Sequence, residues 1–482
     1  MKLRNASLKA VGSVIALALI AQLGACSGDE KKSSLGTTVT SSLETKAERE
    51  AIAKKKLDAM ASGSSLGGIV IADEPAAALL GRDMLEKGGT AADAAVATYF
   101  ALSVTYPAAA GLGGGGICLA RDGEKGEVRS ISFPALAPSS GGSIAVPGNV
   151  RGMAYLQASF GSLKWSQVVS PAERLAATGF QASRATVNQL AKNATVIGSS
   201  DALKALYLNA DGMAYEKADT IRLPGLAGTL SRIRASGVGG FYQGDTADLL
   251  VAQSRLNGGS ITQEDLTAYR PVDAPAQGIE AGDLRLMLPA ANTEAGAFTA
   301  ALWPKIQNIS GASALADAAN QTAGVTGAAA DADYGSTTFV AVDGLGGAVA
   351  CAVSMNGAFG LGRVASGSGI IFAATPASAV KGAAAKYLAP VMLVREKSKN
   401  SLYLAAVGAG APKAVAAVES AVVATLTNEE GAPLMSLVNG PADELSTANA
   451  IVCSKGLPRG SCSINVNPKG SGVGFTAVDA GS

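Results

Sequence analysis

From Thr90 to Val104 the chain reads TAADAAVATYFALSV, a helical stretch that is apolar almost all round. A helix without a polar face is a buried helix, so this segment demands protein on every side of it. Thr90 stands three residues before Asp93, the spacing of a capping box, and Pro107 stops the segment. A chain of 482 residues with 48% hydrophobic content has the apolar surface for such a core. Aromatics make up only 5% while glycines number 59, a balance that suits helices packed closely on sheets.

Charge and residue absences narrow the chemistry. Lys+Arg 39 against Asp+Glu 38 gives no basic surface for nucleic acid, which is excluded as a partner. There is no histidine at all, which excludes Ser-His-Asp and Cys-His catalysis and H-E-x-x-H zinc sites. What remains is hydroxyls, carboxylates, lysines, an α-amine and backbone groups. The run Leu112 to Gly116 has neither the lysine nor the spacing of a phosphate loop, and reads as a tight crossover beneath a site where only glycine lets backbones approach. No metal site or cofactor is expected.

The first 25 residues carry Lys2, Arg4 and Lys9 and then an apolar run to Leu23, the pattern of a signal peptide too short for a membrane span. Leu23-Gly24-Ala25-Cys26 resembles a bacterial lipobox, which implies lipid on Cys26, a membrane anchor and a place in the cell envelope. Ser27 after the cysteine favours the outer membrane, facing the periplasm. Residues 26–65, rich in Ser, Thr, Lys and Glu, read as a flexible tether.

Beyond the tether, Gly68 to Ala72 reads as a buried strand and Pro75 to Glu86 as a helix closed by Gly88-Gly89. A strand is expected over Ile117 to Ala120, and a helix over Arg151 to Phe160. Within Leu163 to Phe180, Pro171 suits a first helical turn and Gly179 follows the last. Thr262 caps another helix by its spacing to Asp265. Residues 305–335 look like an exposed loop. Phe339 to Asp343 and Ala348 to Ser354 read as strands joined by a hairpin at Asp343 to Gly346, with Ser336, Thr337 and Thr338 just ahead of the first. Taken alone, such a hydroxyl cluster is a turn or cap. Cys453 and Cys462, nine apart in a Gly, Pro and Ser-rich tail, are expected to form a disulfide, and Cys118 and Cys351, each on an apolar strand, to be buried thiols.

Several segments, in this order, resemble the γ-glutamyltranspeptidase family of N-terminal-nucleophile hydrolases: EKGGTAADAAVA (86–97), VTYP before AAAGLGGGG (104–116), AVPGNVRG (145–152), VSPAERLAATGF (169–180), ITQEDLTAY (261–269) and STTFVAVD with GGAVACAVSMNGAFG (336–360). The resemblance implies an α+β fold, a four-layer αββα sandwich, made as a precursor that cuts itself into a large subunit (66–335) and a small one (336–482). Counting back from Asp343 and Asn356 puts the cut at Gly335–Ser336 and makes Ser336 the nucleophile. Residue type alone favours Thr337, because the family begins Thr-Thr-His. The α-amine freed by the cut, with a pKa of about 8, would serve as base for the hydroxyl that carries it. By family position Ser354 supports the nucleophile, Asn356 contacts substrate, and the amides of Gly410 and Ala411 stabilise the oxyanion.

The departures bear on substrate. The family's Phe-Arg-x-x-Ala-Pro motif, whose arginine grips the substrate α-carboxylate, is Phe133-Pro134-Ala135-Leu136-Ala137-Pro138. The family's Ser-Ser pair is Lys386-Tyr387, its amine-binding Asp is replaced within Ala373-Ala374-Thr375, and the His of Thr-Thr-His is Thr338. The expectation is an envelope-anchored amidohydrolase or acyltransferase that acts on a small-molecule amide or peptide other than an ordinary γ-glutamyl compound. The alternative is an inactive relative serving as a binding scaffold.

Overall fold

Alternation along the strands decides how the layers stack. In the computed structural model, which describes residues 66–478 apart from 328–329, 331–332, 380–383, 396–400, 428–430, 444–445 and 459, two large sheets carry the core. The signal segment, Cys26 and the tether lie outside the described residues. In chain order the strands of these sheets are β1 (Leu66–Ala72), β2 (Gly115–Arg121), β3 (Val128–Phe133), β4 (Val272–Pro275), β5 (Gln277–Ala281), β6 (Leu284–Leu288), β7 (Ser336–Asp343), β8 (Ala348–Ser354), β9 (Ala389–Arg395), β10 (Ser401–Ala409), β11 (Thr447–Leu457), β12 (Cys462–Val466) and β13 (Val473–Val478). The front sheet runs β13-β1-β7-β8-β2-β3-β4 and the back sheet β12-β11-β10-β9-β6-β5. Neighbouring strands are antiparallel throughout both sheets.

On β7, Val340 and Val342 enter an apolar layer shared with Met392, Val407 and Ile451 of the back sheet, while Phe339 and Ala341 face the helices. The helices covering the front sheet include α1 (Pro75–Glu86), α2 (Ala91–Thr105), α3 (Asn149–Phe160), α4 (Trp165–Thr178) and α6 (Pro224–Ser236), with α5 (Arg184–Lys192) at the edge of the site. The back sheet is covered by α7 (Glu294–Ile306), α8 (Ala312–Ala323) and α9 (Pro412–Leu426). Three apolar layers between four layers of structure make this the αββα sandwich that the sequence led us to expect.

Every residue of α2 is buried. Its capping box forms as the spacing requires, Asp93 accepting from Thr90 N at 2.9 Å while Thr90 Oγ1 accepts from Asp93 N at 3.3 Å. The Asp343 carboxylate accepts from Ala91 N at 3.0 Å, so the helix start is pinned to the end of β7 by a charge that its dipole favours. The glycine run behaves as a crossover: a Cβ would fall 2.1 Å from Ile371 O at Gly113, 2.4 Å from Ser354 O at Gly114 and 2.0 Å from Ala135 N at Gly115. No side chain fits there.

Four local expectations need correction. Ser336, Thr337 and Thr338 do not precede the strand but form its first three residues, because Ser354, Val353 and Ala352 extend the ladder to meet them. Residues 305–335 are not all loop: α7 runs to Ile306, and Ala312–Ala323 is helical with Leu315 and Ala319 buried. Pro171 lies inside α4, which begins at Trp165, since burial of Val168, Val169, Ala172 and Ala176 outweighs the proline's missing donor. Cys118 and Cys351 are disulfide-bonded rather than free. They are direct partners on β2 and β8 with Cα atoms 4.1 Å apart, a close cross-strand approach that places the two sulfurs face to face. Cys453 and Cys462 are bonded as expected, again directly across a ladder.

Candidate active site

The site grows from the first residue of β7. Gly335 has φ +56, and a Cβ there would lie 2.2 Å from the backbone of Gly357, so the chain turns into β7 where only glycine fits. The end of β8 wraps this turn. Met355 N donates to Gly335 O at 3.0 Å, Gly357 N donates to Tyr334 O at 2.9 Å, and Ser354 Oγ donates to Tyr334 O at 2.8 Å while accepting from Asn356 N at 2.9 Å. Both carbonyls ahead of Ser336 are thereby fixed.

Burial and bonding partners then sort the three hydroxyls. Ser336 is half-buried and borders a cavity of about 210 Å³, and among the described residues its hydroxyl makes one long contact, 3.4 Å, to Tyr334 O. Thr337 is fully buried and donates to Asp73 Oδ2 at 2.8 Å. Thr338 gives both its N–H, at 3.0 Å, and its hydroxyl, at 3.4 Å, to the same oxygen. Asn449 Nδ2 reaches Asp73 Oδ1 and Thr338 Oγ1, each at 2.9 Å, and Thr447 Oγ1 lies 3.2 Å from Thr338 Oγ1. Burial pushes the Asp73 carboxyl above its ordinary pKa, and the hydrogen bonds from Thr337, Thr338 and Asn449 oppose that shift.

A second cavity, of about 320 Å³, lies beside Ser354 and Asn356. Ile117, Ala135, Leu136, Ala295 and Leu388 make much of its wall, Arg270 and Glu294 also line it, and Pro134 stands on it where the family's arginine would be. Asn356 takes a left-handed conformation, φ 55, donating to Ala374 O at 2.9 Å and accepting from Ala384 N at 3.3 Å. Lys386 is occupied elsewhere: its Nζ donates to Ala323 O at 3.0 Å, at the C-terminal end of α8. Gly410 and Ala411 link β10 to α9 beside Thr447, the partner of Ala409, and line neither cavity. Among the described residues there is no group of three or more His, Cys, Asp or Glu able to hold a metal, and no helix long and apolar enough to cross a membrane.

Gly335, Ser336, Ser354 and Asn356 therefore sit together, Thr337 is turned away, and Gly410-Ala411 stand one strand aside. Asp73, Thr447 and Asn449 were not foreseen. The single hint for Asp73 was an acidic pair, Asp73-Glu74, squeezed between a buried strand and a proline-started helix, where one acid suffices as the cap: Glu74 accepts from Ala77 N at 3.0 Å.

A family model described as "Gamma-glutamyltranspeptidase" matches residues 77–303. That stretch, just under half of the chain, is similar to the γ-glutamyltranspeptidase family. Among curated proteins it resembles, a glutathione hydrolase of Aspergillus flavus is 36% identical over 219 residues, 42% of this chain and 37% of that protein. The glutathione hydrolase proenzyme of Escherichia coli is 32% identical over 228 residues, 43% of this chain and 39% of that one. The chain thus spans about two fifths of the length of these relatives. A cephalosporin acylase from Bacillus halodurans superposes with a TM-score of 0.68 at 19% identity, over 85% of this chain and 96% of that chain, which shows a shared fold. The family match ends before the Gly335–Ser336 region, so the roles of the residues there rest on their geometry and on the resemblance of their motifs.

Proposed function

We propose that this γ-glutamyltranspeptidase relative cuts itself at Gly335–Ser336 and then acts as an acyl-transferring amidohydrolase with Ser336 as nucleophile. The observation that carries the proposal is the contrast among the hydroxyls: Ser336 borders open space, and Thr337 is sealed against Asp73. Ser336 Oγ attacks the Gly335 carbonyl carbon while Met355 N–H, already on that oxygen, stabilises the charge that develops there. The Cα-bound nitrogen of Ser336 takes the hydroxyl proton as the C–N bond breaks and an ester forms. Water then opens the ester, leaving a Gly335 carboxylate and a free α-amine on Ser336. In turnover that amine takes the proton from the hydroxyl of its own residue as the oxygen attacks the substrate amide, passes it to the departing amine as the C–N bond breaks, and water or a second amine then takes the acyl group from Ser336. Ser354 holds the carbonyl of Tyr334 beside the nucleophile, and the Gly410-Ala411 amides enter only through the family resemblance.

An ordinary γ-glutamyl substrate is not favoured. Pro134 offers no charge to a carboxylate, and the loss of charge-assisted bonds, each worth about 1.5–3 kcal/mol, removes the family's grip. The envelope location rests on Cys26, and fatty-acid labelling abolished by Cys26→Ser would support it. Expressed without its first 26 residues and fully reduced, the protein should appear by intact mass as two fragments that meet at Gly335–Ser336, and Ser336→Ala should leave one. A wild-type chain that stays whole would sink the enzymatic reading in favour of a scaffold, and a cut one residue later would move the nucleophile to Thr337. A γ-glutamyl anilide should be turned over poorly; brisk turnover would contradict the reading of Pro134.

A further inference from the structure

The cavity beside Ser336 is ringed by positive charge. Arg184, Asn188 and Lys192 follow at i, i+4 and i+8 along α5 and line one wall, spread over about 12 Å of helix. Lys469, from the turn joining β12 and β13, lines the cavity too. Among the described residues, neither Arg184 nor Lys469 has an ion-pair partner. A concavity whose charged side chains are mainly cationic concentrates its field on an entering anion, and the volume of about 210 Å³ suits one small group rather than a whole large ligand.

The chain itself supplies such a group. Asp333, three residues ahead of Ser336, lines the same cavity, where Lys192 acts on its carboxyl against the effect of burial. Its Oδ1 accepts from Gly335 N at 2.7 Å, which holds the carboxylate in register with the bond to be cut. A carboxylate tethered on the acyl side of the Gly335–Ser336 bond thus shares the cavity with the three cations, of which Lys192 acts on it.

We infer that Arg184, Lys192 and Lys469 form a binding site for the carboxylate of an acyl donor, filled in the uncut chain by Asp333. The inference rests on Ser336 being the nucleophile for its catalytic meaning, but the site can be tested without any turnover. In the Ser336→Ala background, succinate is titrated calorimetrically at low ionic strength. With Asp333 present, or with Asp333→Glu, succinate should bind weakly. Asp333→Ala should strengthen binding at least about ten-fold, and adding Arg184→Ala with Lys469→Ala should abolish that gain. The neutral analogue succinamide should not bind. If Asp333→Ala leaves succinate affinity unchanged, or if removing the cations does not matter, the site is wrong even where self-cleavage occurs. Where the chain does cut itself, mono-4-nitroanilides of succinic to adipic acid should have lower KM than their terminal amides, and Arg184→Ala should raise KM for the acids alone. A chain that binds succinate in this pattern but never cuts would overturn Ser336 as nucleophile and leave the anion site standing.

Discussion

At the start of β7 each residue has one neighbour that decides its use. Ser336 has open space, Thr337 has Asp73, and Thr338 has both Asp73 and the Thr447-Asn449 pair of the back sheet. Asp73 therefore works as the anchor of the strand that carries Ser336, taking three hydrogen bonds from β7 and a fourth from Asn449 of β11. Asp73→Ala leaves a buried threonine hydroxyl, a backbone N–H and an asparagine amide short of an acceptor, and should cost about 3 kcal/mol in a denaturant titration. Asp73→Asn, which keeps the shape and one acceptor, should cost less. If both variants are as stable as the parent, Asp73 does not anchor the strand. Little of this was legible in the sequence, since Asp73 lies 264 residues from Thr337 and 376 from Asn449, and an acidic pair before a proline-started helix reads first as a cap. Ser336 was singled out only through register to Asp343 and Asn356, whose own positions are fixed by a hairpin and a turn.

Elements with a strong local signature formed where the sequence put them. The Pro75 to Glu86 helix, the capping boxes of Thr90 and Thr262, and the Asp343 to Gly346 hairpin depend on residues within a few positions of one another. The Cys118–Cys351 pairing and the true start of β7 depend on a ladder assembled from distant strands, which spacing cannot reveal. α9 carries a further surprise: Glu419 is fully buried, and neither carboxylate oxygen has a hydrogen-bond partner among the described residues. Burial pushes its pKa well above the ordinary value. The folded state therefore holds the proton more tightly than the unfolded chain, and stability is fully present below the unfolded pKa of about 4.3 and falls as pH rises toward the folded one. Glu419→Gln should stabilise the protein by about 2 kcal/mol at pH 7 and by little at pH 4, as read from paired urea titrations. An equal effect at both pH values would show that the carboxyl is not what destabilises α9.

On the scale of the whole molecule, residues before and after the proposed cut share both sheets. In the front sheet β1, β2, β3 and β4 come from before Ser336 and β7, β8 and β13 from after it; in the back sheet β5 and β6 meet β9, β10, β11 and β12. Neither part contains a complete sheet, so the cut protein should melt in a single transition. The Cys118–Cys351 bridge adds a topological consequence. Its two ends enclose the Gly335–Ser336 bond in a closed covalent loop, and a break within a loop opens the ring without making a second molecule. Processing would thus turn one cyclic segment into a branched, still single, covalent body. On a denaturing gel the processed protein should run as one band without reductant and as two with it, and Cys118→Ser with Cys351→Ser should give two bands in either lane. If the chain cuts itself, self-severance and subunit separation, often taken as one event, would here be two, and the second would await a reductant.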